Sequence, residues 1–156
     1  MHEKIARPGS VRRWQGQIPI GHRYTPGIGG EAFFVALRDR GVLVGSRCDA
    51  CEYTYVPARR FCERCFAELE PGVEVGPGGT LVSFTIAFEG VDGAPLDRPE
   101  TFGLVRLDGA DAVLLHRVLD PGDVPLAVGD RVEVVVRAGG ERTGSIRDIE
   151  GFRIGG

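Results

Sequence analysis

Cys48-Asp-Ala-Cys51-Glu-Tyr-Thr-Tyr-Val-Pro-Ala-Arg-Arg-Phe-Cys62-Glu-Arg-Cys65 holds all four cysteines of a 156-residue chain. It spells C-x2-C, ten intervening residues and a second C-x2-C. Two residues between thiols let one tight turn aim both sulfurs at a single ion, and two such knuckles complete a tetrahedron around zinc. The gap is shorter than the roughly 15–20 residues usual between paired knuckles, but Glu52 to Phe61 can run out and back as a short hairpin. Four thiolates close the shell against water, so the metal is expected to be structural rather than catalytic. Disulfides fit poorly, because Met1 to Pro8 contains no apolar stretch of the signal-peptide kind and paired knuckles in such a setting point to metal. Iron in the same cage, carrying electrons as in a rubredoxin, is an alternative the spacing leaves open.

Four thiolates on a divalent ion leave a net charge of about minus two, which a small domain must offset or solvate. Arg47, Arg59, Arg60 and Arg64 flank the knuckles against Asp49, Glu52 and Glu63. These arginines are read as neutralising the cluster, with a contact of Arg59 and Arg60 to an anionic ligand as the sharper alternative. The whole chain carries a formal charge of -3 and a pI near 5.6, so the electrostatic footprint of a nucleic-acid binder is missing. No run reaches the roughly 18 apolar residues of a membrane span. With thiols that must stay reduced to hold metal, the expected location is the cytoplasm.

The chain divides into three expected parts. Residues 1–41 form an arm ending in a short helix, 42–71 the metal module and 72–156 a β-barrel with a C-terminal tail. The arm is rich in Gly, Pro and Arg with isolated apolar anchors, among them Trp14 and Tyr24; such a segment cannot bury itself and is expected to be either disordered or an arm that lies on another surface, the Trp favouring docking. Glu31 to Arg40 contains good helix formers with Phe33, Phe34 and Leu37 on one face and Gly41 as a C-terminal stop. Trp14, Tyr24, Phe33 and Phe34 are the candidate partner-binding residues. In the metal module, Val42–Val44 and Tyr53–Val56 read as strands. Beyond Pro71-Gly72 the period becomes two: Val82, Phe84, Ile86 and Phe88 alternate with Leu81, Ser83, Thr85 and Ala87, as on a strand with one buried face. Strands at 101–107, 112–119, 132–136 and 145–154 follow, joined by turns at Asp108-Gly109 and Gly129-Asp130. Five such strands suit a mainly β fold with an oligonucleotide/oligosaccharide-binding (OB) barrel, although an SH3-like barrel or a sandwich gives a similar period.

Catalytic groups are scarce. With all thiols on metal no cysteine is left as a nucleophile, and His2, His22 and His116 are the only histidines. His116 lies between Leu115 and Arg117 and reads as a strand histidine facing solvent or a partner. G-x-S-x-G, G-x-x-x-x-G-K and H-E-x-x-H are all absent. Gly76-Pro77-Gly78-Gly79 precedes a strand rather than a helix and so forms a turn, not a phosphate cradle. No catalytic residue is expected in this chain.

The order helix, Cys48-x-x-Cys51, Tyr55-Val-Pro-Ala-Arg-Arg-Phe-Cys62-x-x-Cys65, then Gly79-Thr-Leu-Val-Ser-Phe-Thr-Ile86 and Val128-Gly-Asp-Arg-Val-Glu-Val134 resembles the zinc-ribbon plus OB-fold family long called domain of unknown function 35. Arg142-Thr-Gly-Ser-Ile-Arg-Asp-Ile149 with Phe152 is similar to members that accompany thiolases, benzoylsuccinyl-CoA thiolase among them. The resemblance implies a rubredoxin-like zinc ribbon, a structural Zn2+ on Cys48, Cys51, Cys62 and Cys65, and an accessory role beside a thiolase-like catalytic subunit in an acyl-CoA complex; other members accompany hydratases or aldolases. If a CoA thioester touches this chain, Arg59, Arg60 and Arg106 are the candidates to meet phosphate and Phe84 or Phe102 to flank the pantetheine arm or the ring, although a core role suits each phenylalanine. Two readings of other classes stand beside it: a single-stranded nucleic-acid binder with a zinc ribbon and an iron-binding redox module.

Overall fold

The computed structural model describes Gly21, residues 24–119 and residues 125–155. Trp14, His2 and His22 lie outside the described residues. A helix, α1 (Gly27–Arg40), leads into β1 (Leu43–Cys48), β2 (Tyr53–Tyr55) and β3 (Pro71–Val75). Five strands follow: β4 (Gly78–Glu89), β5 (Pro95–Leu107), β6 (Val113–Val118), β7 (Arg131–Val136) and β8 (Ile149–Ile154). No described helix is long and apolar enough to cross a membrane.

α1 begins four residues before the expected Glu31, inside a glycine-rich stretch that propensity disfavours. Packing overrides propensity here. A Cβ at Gly29 would lie 2.6 Å from the Ala58 carbonyl oxygen, so the bare backbone lets the first turn press against the ribbon. At the other end Gly41 adopts φ 71 and returns its N–H to Ala36 and Leu37, the left-handed stop expected of glycine. The Arg142 side chain also donates to the Leu37 carbonyl at 3.1 Å, fastening the helix end to the C-terminal segment.

β1 is the centre of a three-stranded antiparallel sheet in the order β2-β1-β3. Its partners differ from the expected hairpin between the knuckles. The first C-x2-C turn itself reverses the chain, so Tyr53 pairs back on Cys48 and Tyr55 on Ser46. The second knuckle likewise turns between Phe61 and Glu68, which form an isolated bridge. β3 pairs Val75 with Leu43 on the other edge of β1. The outer edge of β2 is covered as well: the Asp111 carboxylate accepts the Thr54 N–H at 2.8 Å, and the Asp111 and Ala112 N–H groups donate to the Thr54 carbonyl. A sheet edge closed in this way offers no template for another chain.

The other five strands close a barrel in the order β4-β5-β6-β8-β7, with β7 returning to β4. Counted within the barrel the order is 1-2-3-5-4, and its one parallel pairing, Val118 with Phe152, joins the third and fifth strands. That connectivity is an OB fold. The β4–β5 hairpin outgrows the barrel. β7 pairs with β4 only at Gly78–Thr80 and β6 with β5 only from Thr101 on, whereas β4 and β5 stay paired out to Glu89 and Pro95. The expected buried row therefore ends early: Val82 and Phe84 are half-buried, but Ile86 and Phe88 are 45% and 63% exposed, because among the described residues no third element covers the outer hairpin.

One apolar core unites the parts. Phe33 and Leu37 of α1, Leu43, Val56 and Val75 of the ribbon, and Leu81, Val105, Leu107, Val118, Val132, Ile149 and Phe152 of the barrel form a single cluster. Phe33 is fully buried in it, which corrects its nomination as a partner-binding residue: the side chain is spent on this chain's own core. Phe34 packs edge-on against Phe33 at 5.4 Å and stays half-buried, while Tyr24 is exposed.

Candidate metal centre

The four cysteine sulfurs lie within 4.8 Å of one another. Cys48 Sγ is 3.6 Å from Cys65 Sγ, and Cys62 Sγ is 3.8 Å from Cys51 Sγ. A tetrahedron with Zn–S bonds of about 2.3 Å has edges of about 3.8 Å, so the cage already has the size that one zinc ion requires. All four cysteines are free of disulfides. Cys48 and Cys62 are buried, Cys51 half-buried and Cys65 exposed, which places the site at the rim of the ribbon with all four positions filled by sulfur. The site is a structural zinc site.

Local backbone geometry explains how the knuckles form. Glu52 and Phe66, each directly after the second cysteine of a knuckle, take φ 49 and φ 60. These are the only non-glycine residues in the left-handed region among the described residues. That turn aims N–H groups at sulfur: Cys51 N–H toward Cys48, and Arg64 and Cys65 N–H toward Cys62. Tyr55 adds its hydroxyl, 3.3 Å from Cys62 Sγ and fully buried. The Tyr55 hydrogen bond is the main reason the Cys62 thiol is lowered to about 6, helped by the N–H groups and opposed by burial. The same contact raises Tyr55 to about 12. Cys51 is raised to about 12, chiefly by its hydrogen bond with Cys65 and then by burial, and burial raises Cys48. Cys48 and Cys51, whose thiols are raised, release protons when a cation binds. Ser46 completes the support, its buried hydroxyl accepting the Arg59 N–H at 2.8 Å and donating to the Arg59 carbonyl at 2.9 Å. Such outer contacts orient ligands. Tyr55 and Ser46 escaped the sequence reading; the only signal was the position of Tyr55 at the head of the Tyr-Val-Pro segment.

The flanking arginines are held by acids and rings. Arg59 pairs with Glu63 at 2.5 Å and lies over the Tyr55 ring, Arg60 pairs with Glu68 and Glu70, Arg47 with Asp49, and Arg64 stacks on Tyr53 at 4.1 Å. The four nominated ligand residues are not brought to one place. Arg59 and Arg60 sit on the ribbon already paired with carboxylates. Arg106 is exposed on β5 opposite Thr80 and Val113, and Phe84 packs against the barrel core.

The segment 142–149 is organised by a buried carboxylate. Asp148, fully buried, accepts N–H bonds from Thr143, Gly144 and Ser145, the Gly144 bond at 2.6 Å, and a hydroxyl bond from Thr143. The Ser145 hydroxyl accepts the Arg147 N–H in return, capping a single 3-10 turn at Ile146–Asp148. Burial alone would raise the Asp148 carboxyl; the bonds from Thr143, Ser145 and Gly144 outweigh it, and the net direction is down. Beside this turn a groove of about 690 Å³ runs over the barrel, lined by Phe102, Leu115, His116, Arg117, Arg137 and Arg147 among others. His116 is lowered, mainly by burial, and its Nδ1 is buried without a partner among the described residues.

A rubredoxin-like ribbon fused to an OB barrel defines a class, and comparison with known proteins agrees. The family model described as the ChsH2 rubredoxin-like zinc ribbon domain matches residues 35–70, and that of the ChsH2 C-terminal OB-fold domain matches residues 72–137. The chain belongs to the family that joins these two ChsH2 domains. A Sulfolobus solfataricus protein of unknown function from the DUF35 family superposes with a TM-score of 0.63 at 27% identity, covering 83% of this chain and 87% of that one. The Ltp2-ChsH2(DUF35) aldolase gives 0.57 at 21% identity, covering 78% of this chain and 91% of that one; this likeness is one of fold. No curated protein matches the sequence.

Proposed function

We propose that this chain is a non-catalytic, zinc-stabilised accessory subunit working beside a thiolase-like catalytic subunit on CoA thioesters. The observation that carries this is the closed cage: every thiol is placed to hold one ion, so a reaction needing a free thiolate must take it from a companion. Membership of the ChsH2 family supports a paired existence, as does the likeness to the Ltp2-ChsH2(DUF35) aldolase. In this reading the ribbon stabilises the subunit, and the barrel supplies surface for the partner and the acyl-CoA. No role is proposed for Phe33, which is buried. Co-expression with the product of a neighbouring thiolase gene tests the proposal. The expected result is a complex that co-elutes in fixed stoichiometry and a thiolase that loses activity when this subunit is omitted; separate elution with unchanged activity refutes it.

A further inference from the structure

The cysteine cage is unevenly supported. Cys65 is exposed and Cys51 half-buried, so water can solvate part of the charge on their sulfurs, whereas Cys62 is fully buried. A buried thiolate has to take its hydrogen bonds from the protein. Backbone N–H groups supply some of them at Cys62, as one does at Cys48. Cys62 also has a side-chain donor: the Tyr55 hydroxyl, 3.3 Å from its Sγ, is the one side chain from outside the cage that reaches a cysteine sulfur among the described residues. With a cation bound Cys62 carries no proton, so in this contact the hydroxyl donates. Its proton has no other acceptor among the described residues. The Tyr55 ring is clamped. Tyr55 pairs with Ser46 on β1, the Tyr53 ring packs against it at 4.8 Å, and the Arg59 guanidinium lies over it at 5.0 Å. Arg59 is held in turn, its backbone by the Ser46 hydroxyl and its side chain by Glu63. A ring fixed on these sides cannot follow a sulfur that moves away, so its hydroxyl favours a single position of Cys62 Sγ.

We infer that Tyr55 is a positioning residue for the metal: its hydroxyl fixes Cys62 Sγ in the cage, disperses the charge of that buried thiolate, and thereby sets how tightly and how long zinc is retained. Opening of the second knuckle obliges Cys62 to leave a buried hydroxyl that cannot follow it and has nowhere else to donate, and an orphaned buried donor is costly. Outer contacts of this kind typically change metal affinity by about 10- to 100-fold. The ring contributes separately, through the small apolar cluster it shares with Cys48, Cys62 and Leu69, so removing the oxygen alone isolates the hydrogen bond from the packing. The inference concerns this chain and its metal only and does not depend on the accessory function proposed above.

The test is Tyr55→Phe in the full-length chain, with zinc affinity and release followed by competition against a chromophoric chelator and with cobalt(II) as a spectroscopic stand-in for zinc. Affinity should fall at least tenfold and release should quicken, while far-ultraviolet dichroism of the zinc-loaded variant matches wild type. A sulfur that loses a hydrogen bond gives up electron density more readily, so the sulfur-to-cobalt charge-transfer band should move to longer wavelength. Tyr53→Phe, which removes a hydroxyl that makes no hydrogen bond to a cysteine, should alter neither affinity nor band. Zinc affinity within twofold of wild type overturns the proposal. A weaker affinity with an unmoved band overturns it as well, because ring packing and not the hydrogen bond would then be the cause. Wild-type protein loaded with cadmium-113 in place of zinc is the second readout and needs no variant: scalar coupling between the Tyr55 hydroxyl proton and the metal, carried through the Cys62 sulfur, supports the bond, and its absence refutes it.

Discussion

Replacing Asp148 with alanine removes the acceptor for the N–H groups of Thr143, Gly144 and Ser145 and for the Thr143 hydroxyl at once. A buried donor left without a partner costs about 1–3 kcal/mol. The sum is not reached, because Thr143 is exposed and Gly144 and Ser145 are half-buried, so water reaches part of the gap, and contacts within one network do not add. The expected loss is about 3 kcal/mol, or a fall in Tm of about 6–12 °C for a chain of this length. Asparagine keeps one oxygen and the shape but loses the charge, and should cost about 1–2 kcal/mol. Urea unfolding in excess zinc, followed by far-ultraviolet circular dichroism, measures both; the midpoint should fall with the slope unchanged. The pH dependence gives an independent check. The folded carboxyl lies below its ordinary value, so the ionised form stabilises the fold fully above the unfolded pKa of about 3.9 and that contribution disappears as pH falls through the folded value. The gap between wild type and Asp148→Asn should accordingly be constant from pH 7 to about 5 and shrink below pH 4. Loss of zinc in acid affects both proteins and cancels in the difference. An alanine variant within about 0.5 kcal/mol of wild type would show that the carboxylate does not organise the segment.

Three further outcomes follow from the geometry. Stripping the metal with a chelator should unfold residues 48–69, whose small cluster of Cys48, Tyr55, Cys62 and Leu69 has little apolar surface of its own, and should leave the barrel folded; near-ultraviolet dichroism of the tyrosines should collapse while far-ultraviolet strand signal largely persists. Glu52→Gly should be neutral to stabilising by up to about 1 kcal/mol, since it relieves a left-handed turn at some entropic cost; a clear fall in Tm would show that the Glu52 side chain matters. Gly45→Ala should destabilise by about 3 kcal/mol or prevent folding, because its Cβ would lie 2.2 Å from the Tyr55 carbonyl oxygen, a backbone atom held in the β1–β2 ladder; wild-type stability would refute that contact.

What could be read from the sequence was what its chemistry encodes locally. A tetrathiolate cage is specified by spacing within 18 residues, and the barrel strands by a two-residue period, so both appear before any tertiary contact is known. Features that depend on distant partners did not appear. The start of α1 is fixed by Ala58, across the ribbon; the third ribbon strand by Leu43 and Val44; the exposure of Ile86 and Phe88 by the absence, among the described residues, of a third layer over the outer hairpin. Asp148 looked like one charge in an ordinary Arg-Thr-Gly-Ser-Ile-Arg-Asp run. Its role required knowing that the chain folds back so that three successive N–H groups converge on it. For the same reason the sequence did not show that Arg59 and Arg60 pair with Glu63, Glu68 and Glu70. Arginine is common here, and only the fold shows which guanidiniums are neutralised by nearby acids and which are not.

The shared core bears on how the two halves of the molecule can act together. Leu43, Val56 and Val75 belong to the ribbon sheet but pack with Leu81, Leu107 and Val132 of the barrel, and Asp111 ties the barrel's β5–β6 turn to the edge of β2. The cysteine knuckles lie beyond this seam, in their own small cluster. The metal therefore stabilises the outer end of the ribbon, whereas the orientation of ribbon to barrel is set by apolar packing and by Asp111. The described residues leave apolar side chains exposed in two places, Phe61 and Phe66 at the knuckle tip and Ile86 and Phe88 on the outer hairpin. Under the accessory function proposed above, a ribbon held on the barrel by shared apolar packing matters for rate, because misplacing a substrate by about 1 Å costs on the order of a hundredfold.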